Sequence, residues 1–302
     1  MEYIKFGRTN FKLSKIGIGT WKLGINSNEG ISAIRHALDN GINFIDTAEM
    51  YGNEALISKA IKGYERNNIF IATKVSPHNF NYKEVINACN RSISRLNSKY
   101  IDLYQLHFPN YRIPMNETFS ALEHLVDEGK ILNIGVSNFN LNDLEKARAI
   151  LKEHKISTNQ IEYSILVRKL HDQIINYCNS NKIRIIAYSP LIRGNIDKKR
   201  SIDLIQLFEE LRNKYNATNA QIALSWLISK NSIPIPKASS LEHISENIKS
   251  LDIKLALKDI KKIDDIKERK GSMIAPVEHI IKHTTFWSKL AGSHNSKRIK
   301  SI

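Results

Sequence analysis

Short apolar runs rich in β-branched residues recur along this chain, separated by helix-patterned stretches, and that alternation constrains its fold most strongly. The runs are Ile16-Gly19, Asn43-Asp46, Ile69-Lys74, Ile101-His107, Ile131-Val136, Thr158-Glu162, Arg184-Tyr188 and Ile233-Pro236. Between them, Phe119, Leu122, Leu125 and Val126 share one helical face, with Gly129 as a stop. Leu204, Leu207, Phe208 and Leu211 recur at i, i+3, i+4, i+7. Strands alternating with helices in this number predict the α/β class, as a (β/α)8 TIM barrel rather than an open sheet. Gly17-Ile18-Gly19 followed by Gly24 lacks the G-x-G-x-x-G spacing, so a doubly wound dinucleotide fold is not expected.

A barrel also absorbs the length. A chain of 302 residues would ordinarily suggest two domains, but α/β barrels reach that size as one, so residues 1–302 are read as a single domain. Tyr3-Phe6 and Phe11-Leu13, around Gly7-Arg8-Thr9-Asn10, read as an N-terminal β-hairpin within residues 1–15. Residues 267–302 read as a basic C-terminal extension, with eight Lys or Arg against two acids.

The formal charge of +15 raises nucleic acid, membrane surfaces and anionic small molecules as partners. The lysines are scattered along helix-patterned stretches with no aromatic-interleaved basic stripe, so a solvated surface is expected and no nucleic acid partner. No apolar run is long enough to span a bilayer, and the start of the chain carries no secretion signal. Cys89 and Cys178 read as buried thiols rather than a disulfide framework, which points to the cytoplasm. His279 and His283 are four apart, but no Glu follows His279 and no third ligand is evident, so no metal site is expected.

Four side chains stand at or just beyond the ends of successive runs: Asp46, Tyr51, Lys74 and His107. In a parallel barrel, strand C-terminal ends share one face, so an acid, a phenol, an amine and an imidazole would converge there. Such a set can deliver a proton to a carbonyl oxygen, with Lys74 expected to lower the Tyr51 pKa and Asp46 to hold Lys74. The most specific string is Asp46-Thr47-Ala48-Glu49-Met50-Tyr51-Gly52-Asn53-Glu54. Together these residues resemble the catalytic tetrad of the aldo-keto reductase family, and the likeness runs over most of the chain.

That resemblance implies a hairpin plugging the bottom of the barrel and NAD(P)H-dependent reduction of an aldehyde or ketone, with Tyr51 as proton donor. It implies that Ser137, Asn138 and Gln160 bind the nicotinamide carboxamide and that Tyr188 stacks on its ring. Backbone around Ser189 and Leu191 would approach the pyrophosphate, and Thr20 and Trp21 would contact the cofactor. Lys237, Ser239 and His243 would lie at the adenosine 2′-phosphate, and Glu246 and Asn247 at the adenine. Ser239 and Glu242 have capping-box spacing, which puts a helix N-terminus at that phosphate. His243 stands where NADPH-preferring members carry Arg, so NADPH is expected with NADH also usable. Trp21, Tyr51, Phe108 and Tyr111 are the expected substrate walls, and Phe286 and Trp287 could cover the mouth. The alternative is a nucleotide-binding regulatory subunit resembling potassium-channel β subunits, with little turnover.

Overall fold

Full burial on both faces is what turns the apolar runs into parallel strands: every residue of Phe70–Val75 is buried, as are those of Phe44–Asp46, Leu103–Leu106 and Ile134–Ser137. In this computed structural model, which describes residues 1–6, 11–25, 27–168, 172–196 and 201–266, ten strands form two sheets. They are β1 (Tyr3–Phe6), β2 (Phe11–Ser14), β3 (Ile18–Gly19), β4 (Phe44–Asp46), β5 (Phe70–Val75), β6 (Leu103–Leu106), β7 (Ile134–Ser137), β8 (Ile156–Glu162), β9 (Arg184–Tyr188) and β10 (Ser232–Pro234).

Strands β3 to β10 pair in parallel in chain order, without a crossover. Two backbone bonds join the ends: the Gly17 N–H donates to the Pro234 carbonyl at 3.0 Å and the Gly19 N–H to that of Pro236 at 3.1 Å. The sheet therefore curls into the expected (β/α)8 barrel. A Cβ at Gly19 would sit 2.7 Å from the Ile235 carbonyl oxygen, so only glycine lets the first and last strands meet there.

The antiparallel pair β1–β2, with Phe6 opposite Phe11, is the expected hairpin. Phe6 meets Phe70 edge-on at 5.0 Å, and Phe44 meets Phe70 at 5.7 Å. Phe44, Phe70 and Leu103 open β4, β5 and β6 and share one cluster with Phe6 and Leu13, so the hairpin seals the N-terminal end of the barrel. Strand side chains alternate between faces. Two residues on from Phe44 comes Asp46, and two further steps from Phe70 and Leu103 bring Lys74 and His107 onto the same interior face. Closing the bottom with aromatics and keeping that parity places the polar groups at the opposite end.

The outer helices bury the faces read from the sequence. Phe119, Leu122 and Leu125 are buried on Met115–Asp127, and Gly129 follows at φ +70°. Leu204, Leu207, Phe208 and Leu211 are buried on Ile202–Tyr215. Cys89 and Cys178 are buried free thiols. Among the described residues no helix is long and apolar enough to cross a membrane, and no cluster of metal-ligating side chains occurs. The hairpin turn, His279, His283, Phe286, Trp287 and the basic extension lie outside the described residues.

Candidate active site

The strand ends bring the four predicted groups together. The Lys74 Nζ donates to Asp46 Oδ1 at 2.6 Å and to the Thr47 carbonyl at 2.8 Å, with both side chains of the ion pair shut off from water. Its ammonium stands 5.1 Å from the centroid of the half-buried Tyr51 ring. That ring meets His107 edge-on, with centroids 5.6 Å apart. Phe108 stacks on the other side of the imidazole at 4.8 Å and 8°, so the ring is held between two aromatics. His107 Nδ1 is buried and has no hydrogen-bond partner.

Burial and the neighbouring charges set the protonation states. Burial pushes the Lys74 ammonium below the ordinary lysine range, while Asp46 opposes that shift. His107 is pushed well below an ordinary imidazole, first by burial and then by Lys74, and so stands neutral at physiological pH. The Tyr51 phenol is pushed up, by burial first and the Asp46 carboxylate second. That corrects the expectation of a lowered phenol. With burial and the Asp46 carboxylate both acting on it, the phenol keeps its proton, while Lys74 donates to Asp46 and the Thr47 carbonyl.

Three polar side chains of the string around Tyr51, Thr47, Asn53 and Glu54, are held by hydrogen bonds. The Thr47 hydroxyl donates to Asn53 Oδ1 at 2.7 Å, and the Asn53 amide to the Thr20 carbonyl at 2.8 Å. Gly52 turns the chain at φ +67°. Glu54, fully buried, accepts from the Thr73 hydroxyl and from Arg95 Nε, each at 2.6 Å. Tyr51 thus rides on a loop tied to β3 and β5.

The groups expected around a nicotinamide ring form one network with the tetrad. Gln160 Nε2 donates to Asp46 Oδ2 at 2.7 Å, and the Ser137 hydroxyl to the Gln160 carbonyl at 2.9 Å. Asn138, in the left-handed region at φ +61°, donates to Ser137 Oγ at 3.0 Å and to the His107 carbonyl at 3.3 Å. The Tyr188 hydroxyl donates to Asn138 Oδ1 at 3.0 Å. Just beyond β9, Ser189, Ile192 and Arg193 have φ of 52°, 55° and 55°. Positive φ is a costly conformation for a β-branched residue such as Ile192, and stored strain of this kind gathers at binding loops. Leu191 sits half-buried within that turn.

Thr20 is fully buried, its hydroxyl donating to the Asp46 carbonyl at 3.0 Å, and Trp21 follows half-exposed at the rim. Tyr111 is 68% exposed and its hydroxyl donates to Asp143 Oδ2 at 3.0 Å, so its tip points to the helix Leu141–Ile150. Lys237 is exposed and donates to Ser239 Oγ at 3.1 Å. The expected Ser239 cap is corrected: Ser240 caps the helix Leu241–Lys249, its hydroxyl accepting from the His243 N–H at 3.1 Å. One residue of register separates the two. His243 is exposed, Glu246 half-buried and Asn247 buried on that helix.

Gln105 was not among the expected site residues. It is fully buried, its amide lies 3.4 Å from Asp46 Oδ2, and it stands two residues before His107 on the same face. A lone polar residue at an interior position of an apolar strand was the available signal. Gly135 makes room beside it, since a Cβ there would lie 2.7 Å from Gln105 Cγ and 2.4 Å from Thr158 Oγ1.

Comparison with known proteins identifies the family. The model of the aldo/keto reductase family matches residues 15–268. The methylglyoxal reductase YeaE of Escherichia coli (strain K12) is 31% identical, over 83% of this chain and 90% of its own. A thermostable aldo-keto reductase crystallised with the inhibitor epalrestat superposes with a TM-score of 0.82 at 36% identity, covering 87% of this chain and 99% of its own. The aldo/keto reductase of Klebsiella pneumoniae, solved with NADP and acetate, has a TM-score of 0.77 and 31% identity, covering 89% of this chain and 98% of its own. With the fold and the matched span in agreement, this chain belongs to the aldo/keto reductase family and is an NAD(P)H-dependent oxidoreductase.

Proposed function

We propose that the protein reduces small aldehydes and ketones to alcohols with NADPH, and that Tyr51 is the proton donor. The observation that carries this is the buried Lys74–Asp46 pair lying under the Tyr51 ring with the neutral His107 beside it. A phenol held protonated by its surroundings gives up its proton only when a stronger base, an oxygen gaining negative charge, comes within reach. The Lys74 ammonium, close under that ring, stabilises the negative charge the phenol acquires. His107, wedged between Tyr51 and Phe108, orients the carbonyl by a hydrogen bond.

The donor set fits a nicotinamide nucleotide. A hydroxyl and two side-chain amides, from Ser137, Asn138 and Gln160, converge where a primary carboxamide needs two acceptors and a donor. Bound there, the reduced nucleotide supplies a hydride. Lys237, Ser239 and the capped N-terminus of Leu241–Lys249 offer a charge, a hydroxyl and free N–H groups to a 2′-phosphate. His243 adds no permanent charge there, so NADH is accepted more weakly. Small 2-oxoaldehydes are the first substrates to try, by analogy with the methylglyoxal reductase relative. The buried free thiols suit a reducing compartment such as the cytoplasm.

The test is cofactor consumption against a panel of 2-oxoaldehydes, sugars and aromatic aldehydes with each reduced nucleotide. Tyr51→Phe should lose about 10²-fold or more in kcat while binding NADPH as the wild type does. Near-normal turnover by that variant removes the mechanism. Tight nucleotide binding by the wild type with no oxidation on any carbonyl removes the enzymatic reading.

A further inference from the structure

Two carboxylates flank Tyr51 on its loop, the buried Glu54 and the partly buried Glu49, and the chemistry above uses neither. Glu54 reaches Thr73 of β5, the residue before Lys74. Glu49, in the same single turn as Tyr51, reaches past the other end of that strand. Its Oε2 accepts the Ser76 N–H at 3.0 Å, and both its oxygens accept from Asn79 Nδ2 at 3.1 Å. Arg91 approaches Oε1 at 3.4 Å from the helix Tyr82–Leu96. The Glu49 side chain is 15% exposed, and Ser76 and Asn79 are buried. Burial works to raise this carboxyl, but the Ser76 N–H, Asn79 and Arg91 outweigh it and hold the group ionised below its ordinary range.

A partly buried carboxylate with four donor contacts is costly to strand, and none of its donors is at the reacting centre. What the contacts accomplish is geometric. The Ser76 N–H lies two residues beyond Lys74, so the carboxylate pins the Tyr51 turn to the end of the strand that carries the ammonium. We propose that Glu49 is a positioning residue for the reduction, holding the turn of Tyr51 against the segment that follows Lys74 so that phenol, ammonium and imidazole keep their spacing. This rests on the reading of Tyr51 as proton donor. The Glu54 contact at Thr73 and the Glu49 contact at Ser76 bracket Lys74 along the chain, and its Nζ lies 5.1 Å from the Tyr51 ring. Proton transfer depends steeply on such spacing, so a loosened turn lowers kcat without touching the binding of nucleotide or carbonyl.

The experiment exchanges the partners. In Glu49→Gln one amide faces the Asn79 amide, donor against donor. Asn79→Asp alone sets two carboxylates together, and the double variant Glu49→Gln/Asn79→Asp restores an acceptor opposite a donor. Per cofactor-binding site counted by NADPH titration, each single variant should lose about tenfold or more in kcat, with KM and NADPH affinity within about twofold of wild type. The double variant should recover most of that loss. Should Glu49→Gln not fold, Asn79→Ala removes only the amide contacts and should still lower kcat several-fold at unchanged KM. Wild-type kcat in the folded single variants, or a double variant no better than its parents, overturns the proposal. A wild type active on carbonyls and a dead Tyr51→Phe, with Glu49 variants unaffected, would sink this inference alone; a wild type with no turnover sinks the reductase reading beneath it.

Discussion

Lys74 and Asp46 meet at 2.6 Å in a place neither shares with water, and Gln160 completes the carboxylate from the far side at 2.7 Å. The pair joins β4 to β5 at the rim of the proposed active site. A buried ion pair gains little over an apolar replacement, but breaking it leaves an uncompensated charge. Asp46→Asn should therefore lower unfolding stability by about 3–5 kcal/mol, read from denaturant midpoints. Asp46→Asn/Lys74→Met should be less destabilised than the two single losses summed, because the stranded charge is gone. All three variants should be inactive. Strict additivity would show that the pair does not couple.

His107 gives a pH prediction with a definite sign. Its folded state is pushed well below an ordinary imidazole by burial and then by Lys74. As pH falls through about 6.5, the unfolded chain takes up a proton that the folded protein refuses. The stability this neutral group contributes is therefore present above that pH and lost below it. Thermal melts of wild type and His107→Gln, compared from about pH 8 down to about pH 5, should show the wild type losing more on acidification. Parallel curves would contradict a buried neutral imidazole.

Nucleotide preference should follow position 237 and position 243. Lys237→Ala should raise the KM for NADPH about tenfold and leave that for NADH nearly unchanged, since only the former carries the extra phosphate. His243→Arg should act in the opposite direction on NADPH, by adding a permanent charge on the exposed start of the helix Leu241–Lys249. Equal effects on both nucleotides would move the 2′-phosphate away from this helix.

Much of the architecture could be read from local pattern. The runs around Asp46, Lys74 and Tyr188 became β4, β5 and β9 almost residue for residue, because full burial demands continuous apolar stretches and each is bounded by polar loops. The string around Tyr51 was legible through its resemblance to the family's motif, while the partners of Asn53 and Glu54, Thr20 and Thr73, lie 33 and 19 residues away and only the fold shows them. Ser240 shows the limit of that reading. The capping-box spacing pointed to Ser239, whereas the hydroxyl that accepts from the His243 N–H belongs to Ser240.

The sequence by itself determined which side chains face the barrel interior, since a period of two along each strand carries Phe44 to Asp46 and Leu103 through Gln105 to His107. Only the tertiary structure decided how those groups share charge and hydrogen bonds. Gln105 at Asp46, the Tyr51 phenol pushed up rather than down, and Glu49 reaching Ser76 and Asn79 all depend on distances between residues far apart in the chain. Burial and Coulomb interactions fall off within a few ångströms, and separation along the chain does not reveal separation in space.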